Sequence, residues 1–330
     1  MGAFILRRLL GAIPLLLFVS IVVYGLLELS PGGPTSMYLR RGAGMKGEDL
    51  AKLEQSLGLN DPFYVQYGRW LGNVVQGDFG MATTSSRPVS DEIMDRLPNT
   101  IYLMGISWII TLLIAIPVGV LCAVKQYSKF DHIITALTFV GQSIPPFWLG
   151  LILLLVFYMR IDNPFGNGPL LPSGGVETIG ANYTGLRMVQ GRVVPLILPV
   201  TMLTATWVAW YSRFLRSSML ETIHLDYIRT ARAKGLRERT VILKHAFRNA
   251  AIPLVTLMAL DLPSLFAGAL FAEVIFSWPG MGRLFYQAAE RRDYGLLMAI
   301  IMITSALIIL SNLIADIAYR LLDPCIELGK

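Results

Sequence analysis

The sequence predicts an all-α integral membrane protein with six membrane-spanning helices. Three observations carry that prediction. The 330 residues are 54% hydrophobic and only 15% charged, with a mean hydropathy of +0.58, which is the composition of a polytopic membrane protein rather than of two soluble domains. The apolar residues are gathered into runs of about twenty residues, each long enough as a helix to cross roughly 30 Å of hydrocarbon. The charge, by contrast, is concentrated. Between Ser212 and Ala251 nine basic residues are opposed only by Glu221, Asp226 and Glu238, a local excess of +6 equal to the formal net charge of the whole chain.

Residues 1–30 hold the first span. Arg7 and Arg8 precede the apolar run Leu9–Leu29, which is longer than a signal-peptide core and lacks an A-x-A-like cleavage site, so it is read as retained. Residues 31–99 form a polar extracytoplasmic segment with two short amphipathic helices. In one, Leu50, Leu53 and Leu57 share a face and Gly58 ends the helix; in the other, after Pro62, the shared face is Phe63, Tyr67, Trp70, Leu71 and Val74.

Residues 100–330 form the core. The second span is 101–124, followed by a short basic turn, Lys125–His132. The third is 133–158 and carries Gln142, Ser143, Pro145 and Pro146 at mid-depth. Consecutive prolines free backbone carbonyls and kink a helix. A membrane tolerates such a break where protein or a water-filled cavity satisfies it. Gln142 and Ser143 are therefore candidates for a translocation path, with a simple packing kink as the equal alternative. The fourth span is 193–211, the polar loop 212–251 follows, the fifth span is 252–276 and the sixth is 296–315.

Six spans put both termini on one side. The N-terminus, the 125–132 turn, the 212–251 loop and the tail hold fifteen basic residues, against six in the loops 160–192 and 277–295. The positive-inside rule makes both termini and the 212–251 loop cytoplasmic. The sequence pI near 9.3 therefore reflects one inter-span loop and does not call for nucleic acid.

The polar loop has helical punctuation. Asp226 is a good N-cap, Tyr227–Lys234 contains no Gly or Pro, and Arg232 and Lys234 occupy the last turn, where cations suit the dipole. Gly235 then supplies a left-handed terminator. Eight residues make a rod of about 12 Å. Thr230, Ala231 and Ala233 are small enough for close approach to a partner. A second basic helix is expected from near Arg237 to about Ala250, meeting Pro253 where a new apolar span begins. Charge alone supports only a solvated loop; the capped rod supports a docking element.

The run RTARAKGL followed by HAFRNAAIP resembles the cytoplasmic EAA loop of ABC-importer permeases, in the form found in the dipeptide, oligopeptide and nickel branch. Arg229, Thr230 and Ala231 stand in the Glu-Ala-Ala places and Gly235 in the Gly place. The Glu is absent, so no role of that residue carries over, and the Pro lies further beyond the Gly than in the general form. GLNDPF, QYGRWL and GDFG, SWPGMG and RRDY, ILRR at Ile5 and LLDPCI in the tail also resemble the family, over nearly the whole chain. The resemblance implies a type I ABC-importer permease fold in the bacterial cytoplasmic (inner) membrane. It also implies a heteromeric complex containing a second homologous permease subunit, two ABC ATPase subunits, an extracytoplasmic substrate-binding protein and a peptide substrate. Dipeptide or oligopeptide uptake is the first expectation, with nickel-chelate or glutathione uptake as alternatives. The ATPase-coupling residues it implies are Asp226, Tyr227, Arg229, Thr230, Ala231, Arg232, Lys234 and Gly235. The outer segments around Trp70, Asp78 and Trp278 are candidates for contacting the binding protein.

Ionisable residues inside spans are scarce. Asp261 lies near the middle of the fifth span and Glu273 near its outer end, while Glu28 and Asp316 are at span ends. A mid-depth carboxylate suggests a pathway or a buried partner. Asp261 is therefore a candidate for the translocation path, able to meet a substrate ammonium group, or else a carboxyl bonded within the bundle. An ion-coupled secondary carrier would need more such groups, and many such carriers show internal repeats; the sequence has none. Enzyme readings are excluded more firmly. His132, His224 and His245 are the only histidines, and HExxH, GxSxG and Walker A patterns are all missing. Cys122 and Cys325 form no CxxC or metal spacing. No catalytic residue, metal or cofactor is expected in this chain, and ATP hydrolysis must reside in other subunits.

Overall fold

The computed structural model describes residues 2–29, 61–83, 85–164, 168–175, 191, 193–267 and 269–322. The helix expected over Leu50–Gly58, Cys325 and the tail beyond Leu322 lie outside these residues. Among the described residues the regular structure is helical, with two isolated bridges, Met81–Pro88 and Asp162–Pro169. Five helices are long and apolar enough to cross a membrane, or six when one bent pair is taken as a single span.

The chain divides into two compact units, one comprising Met1–Pro98 and Gly280–Leu313, the other Asn99–Pro279 and Ile314–Lys330. In the first, α1 (Gly2–Glu28) is long and apolar. The amphipathic helix α2 (Phe63–Val75) lays aromatic rings against it. Tyr24 of α1 meets Phe63 at 5.5 Å, Tyr67 at 5.6 Å and Trp70 at 5.8 Å between ring centroids, and the Tyr67 hydroxyl shares a hydrogen bond of 2.7 Å with Ser20. Trp70 is thus packed on α1, whereas Asp78 accepts from the Gly80 N–H in an exposed turn.

The helix α3 (Val89–Val124) starts twelve residues before the apolar run, because Asp91 and Glu92 in its first turn favour the helix N-terminus. Its residues Val89 and Ile93, with Ala82, form the first unit's core together with Met281, Leu284 and Ala288 of α10 (Met281–Arg291) and Tyr294, Leu296, Leu297, Ala299 and Ile300 of α11 (Tyr294–Leu322). Asp293 is 1% exposed. One of its carboxylate oxygens accepts from the Leu296 N–H at 3.2 Å and the other from the Thr83 N–H at 2.6 Å. It therefore caps α11 and ties the loop before α3 to it.

In the second unit the proline pair does more than kink a helix. The helix α4 (Lys129–Ser143) stops, Ile144 and Pro145 are extended, and α5 (Pro146–Leu154) restarts with Pro146 at its first position. A residue before proline is pushed out of the α region and proline itself favours a helix start. The two arms are bent by 99°. Beyond Arg160 the chain reaches Val194–Leu196 and then α6 (Ile197–Ile223), which continues twelve residues past the apolar run ending at Tyr211. Arg213 and Arg216 therefore sit on this helix rather than in a loop.

After α7 (Asp226–Ala233) the expectation of a helix ending near Ala250 is corrected. Glu238–Thr240, a π turn over Val241–Ala246 and α8 (Phe247–Asp261) follow one another without a break, and Pro253 lies inside α8. Beside the proline, the Ala250 carbonyl accepts from Ser218 Oγ at 2.9 Å, a bond that ties this turn of α8 to α6. The fifth apolar run is instead interrupted later. Ser264–Ala267 and α9 (Leu270–Ile275) are short, separate helices.

Candidate functional site

The chain's densest positive charge folds onto an apolar footing. Ile228 is fully buried and Ala231 is 6% exposed. Both pack in one cluster with Met219 and Ile223 at the end of α6 and with Val241, Ile242, Ala246 and Ala250 on the arm leading into α8. Positions 228 and 231 are three apart and so share a face. The remaining residues of α7, namely Asp226, Tyr227, Arg229, Thr230, Arg232 and Ala233, are exposed. The helix is a short rod seated on two long helices with a polar face turned outward.

Its ends differ in how they are held. Leu225, not Asp226, is the N-cap: it is extended at ψ 150, and its carbonyl accepts from the Ile228 and Arg229 N–H groups. Asp226 is the first helical residue and makes no capping bond; its carboxylate meets Arg229 Nη1 at 3.3 Å. At the other end Lys234 is the C-cap and Gly235 adopts φ +75. The Gly235 N–H donates to the Arg232 carbonyl at 2.9 Å and the Leu236 N–H to the Ala231 carbonyl at 3.4 Å. This pair of bonds is a Schellman motif. Two side-chain links fix the rod further. Arg232 donates from Nη2 and Nε to the two oxygens of Glu238 at 2.8 and 3.2 Å, and Asn249 Nδ2 donates to Tyr227 Oη at 2.7 Å.

The three residues expected along a path are not joined to one another. Gln142 and Ser143 are both exposed at the end of α4, where the bend begins. Gln142 Oε1 accepts from Arg213 Nη1, and the Arg213 guanidinium lies 4.6 Å from the centre of the Phe139 ring. Ser143 Oγ donates to the Phe139 carbonyl at 2.8 Å within its own helix. Asp261 closes α8 and is half-buried. Its carboxylate accepts from Tyr211 Oη at 2.6 Å, and that hydroxyl accepts from Trp108 Nε1 at 3.2 Å. This relay crosses three helices, so the arrangement found is the carboxyl bonded within the bundle. Tyr211→Phe removes the donor and strands the carboxylate, and is expected to cost about 1–3 kcal/mol. The check is the thermal melting of the protein purified in detergent, where an unchanged midpoint would overturn the relay's importance.

The pairing of Asp131 with Arg216 was not singled out from sequence. Asp131 near the start of α4 is 2% exposed and receives both Nε and Nη2 of Arg216 at 2.7 Å. Arg216 was legible only as one of nine loop cations. Glu273 is fully buried and accepts from Thr100 Oγ1 at 2.8 Å. Trp278 is 2% exposed with Nε1 donating to the Asn99 carbonyl at 3.0 Å, so its own side chain is packed in the core. Cys122 is a buried free thiol.

Comparison with known proteins gives a consistent picture. Residues 115–327 match the family described as binding-protein-dependent transport system inner membrane component, and residues 1–104 match the N-terminal region of such membrane components. The chain is similar to the oligopeptide transport system permease protein AppB of Bacillus subtilis (strain 168), 44% identical over 328 residues that cover 99% of this chain and 100% of the relative. It is 36% identical to the dipeptide transport system permease protein DppB of Alkalihalophilus pseudofirmus, over 99% of this chain and 100% of that protein. It is 35% identical to the glutathione transport system permease protein GsiC of Escherichia coli (strain K12), over 98% of each. Among solved structures, an inward-facing conformation of the MetNI methionine ABC transporter matches with a TM-score of 0.54 at 18% identity, covering 70% of this chain and 96% of that one. At that identity the likeness concerns the fold alone.

Proposed function

Because this chain belongs to the family of binding-protein-dependent transport system inner membrane components, and is a multi-pass permease subunit rather than an enzyme, we propose that it forms half of the translocation path of an ATP-driven peptide importer of the inner membrane. Its partners in this reading are a second homologous permease, two ABC ATPase subunits and an external substrate-binding protein. The 212–251 segment and both termini face the cytoplasm. The observation that carries the reading is the seating of α7, with Ile228 and Ala231 buried against α6 and the arm of α8 and its polar face exposed. Such a rod fits a cleft in an ATPase subunit, and its footing passes displacement directly into two long helices. Asp226, Tyr227, Arg229, Thr230 and Arg232 form or fix the docking face, Ala231 seats it, and Lys234 and Gly235 terminate it.

The relatives support the substrate class, since their names specify oligopeptides, dipeptides and glutathione. All three are peptides, which supports a peptide substrate over a nickel chelate. Gln142, Ser143 and Asp261 border the path in this reading, with Asp261 held in place by Tyr211 rather than free to meet an ammonium group. Family membership leaves the ion-coupled carrier without support.

Isolating the tagged chain in mild detergent is expected to bring with it a second six-span protein and two Walker-motif proteins. Gly235→Val tests the docking role within that complex. Nothing lies within 4 Å of a Cβ at Gly235, but φ is +75, so the defect is purely one of backbone conformation. A β-branched residue there costs on the order of 1–3 kcal/mol and unwinds the Schellman turn. Uptake driven by ATP should fall about tenfold while the subunit remains in the membrane; normal coupling in this variant would refute the docking role.

A further inference from the structure

We propose that the Asp131–Arg216 ion pair is the strut that transmits displacement from the coupling helix α7 to the bend at Ser143–Pro146, which makes both residues positioning residues for transport. The inference rests on the coupling role proposed above for α7. The pair joins α4 to α6 through two bonds of 2.7 Å, from Arg216 Nε to Oδ1 and from Nη2 to Oδ2. This is the bidentate geometry that fixes direction as well as distance. The carboxylate is 2% exposed and the guanidinium side chain 26%, so the pair is shielded from the solvent that makes surface pairs loose.

Asp131 gathers more than Arg216. It also accepts from the Tyr127 N–H at 3.0 Å and from Thr135 Oγ1 at 3.4 Å, and its own N–H donates to Ser128 Oγ at 3.2 Å. Tyr127 is held at φ +61, a conformation that a bulky residue adopts only where its surroundings impose it. The turn between α3 and α4, the start of α4 and the C-terminal third of α6 therefore converge on one carboxylate.

The strut lies between the two candidate sites. Arg216 is seven residues before Ile223, the last residue of α6, about 10 Å along the helix, and Leu225, the cap of α7, follows two residues later. Met219 and Ile223 on the intervening turns are the residues against which Ile228 and Ala231 pack. From Asp131 to Ser143 is twelve residues, about 18 Å of α4, which ends at the bend. Two further contacts keep α4 and α6 in register: Arg213 donates to Gln142, and a Cβ at Gly141 would lie 3.6 Å from the Ala205 carbonyl oxygen. Movement of α7 is carried by α6 and handed through Arg216 to α4, swinging the bent segment that bears Gln142 and Ser143.

The test uses the assembled complex in proteoliposomes with its binding protein, reading uptake of radiolabelled trialanine per ATP hydrolysed, alongside the complex's melting midpoint. Asp131→Asn keeps an acceptor for the Tyr127 N–H but strands the Arg216 charge, and should lower both readings. The double variant Asp131→Asn with Arg216→Gln leaves no unpaired charge, so its midpoint should return close to that of the native complex. A strut predicts that uptake per ATP nevertheless stays about fivefold or more below native, since amides cannot restore the rigid fork. Native uptake per ATP in the double variant would reduce the pair to a structural contact and overturn the proposal while leaving the coupling role of α7 intact. Absence of any ATPase from the purified native complex would overturn both.

Discussion

Gly119→Leu is expected to leave the protein without a stable second unit. A Cβ at Gly119 would lie 2.8 Å from the Ser212 carbonyl oxygen, 3.0 Å from Leu215 Cβ and 3.3 Å from Leu215 Cδ2. The first of these is backbone, so α6 itself must shift to make room, and Leu215 is fully buried in the cluster that seats α7. Overpacking typically costs 1–3 kcal/mol and more when backbone must move; a leucine here should cost at least about 3 kcal/mol, a large share of a marginal stability. Gly105 on the same helix has nothing within 4 Å of its Cβ position, so Gly105→Leu is the matched control. Monodisperse yield after detergent extraction and the melting midpoint are the readouts. Equal behaviour of the two variants would show that α3 and α6 are not held by this close approach.

Ile228→Asp should be as severe but local. The Ile228 side chain is fully buried among Met219, Ile223, Val241, Ile242 and Ala246, none of which can pair with a carboxylate. Burying an uncompensated charge costs several kcal/mol, more than a rod of eight residues can offset, so α7 lifts from its footing. Membrane insertion and the aromatic packing of α1 and α2 should be unaffected. Recovery of the ATPase subunits with the purified chain should fall by more than tenfold. Ile228→Val, with a cost of about 0.5–1.5 kcal/mol, should retain them. Full ATPase recovery by Ile228→Asp would mean that the footing of α7 plays no part in docking.

The fold class was legible because bilayer burial writes itself as long apolar runs, and α7 because Gly235 and the charge around it punctuate a short polar helix. What escaped was information carried by partners distant in sequence. Leu225 caps α7 although an acid follows it, because the cap is chosen by where the chain leaves α6. Pro253 does not end α8 but lies inside it, in a stretch that Ser218 of α6 ties down through the Ala250 carbonyl. Pro145 and Pro146 produce a 99° turn rather than a kink, since two prolines together leave no helical route through Ile144. Arg216 reads as one loop cation among nine until Asp131, 85 residues away, is placed against it. Trp278 sits in a loop by sequence and in the core by structure, because its N–H finds the Asn99 carbonyl.

The first unit draws its core from both halves of the chain: Ala82, Val89 and Ile93 are clustered with buried residues from Met281 onward, and Thr83 is tied to Asp293. During synthesis the ribosome must therefore insert the whole stretch 99–279 before the earlier residues meet their packing partners. At about 5–20 residues per second that interval is roughly 10–40 s, during which Ala82, Val89 and Ile93 lack the residues of α10 and α11 that they pack with. Quality-control proteases and chaperones have that window in which to act. A chain truncated before Met281 should be degraded as an orphan even though every span up to that point has been inserted.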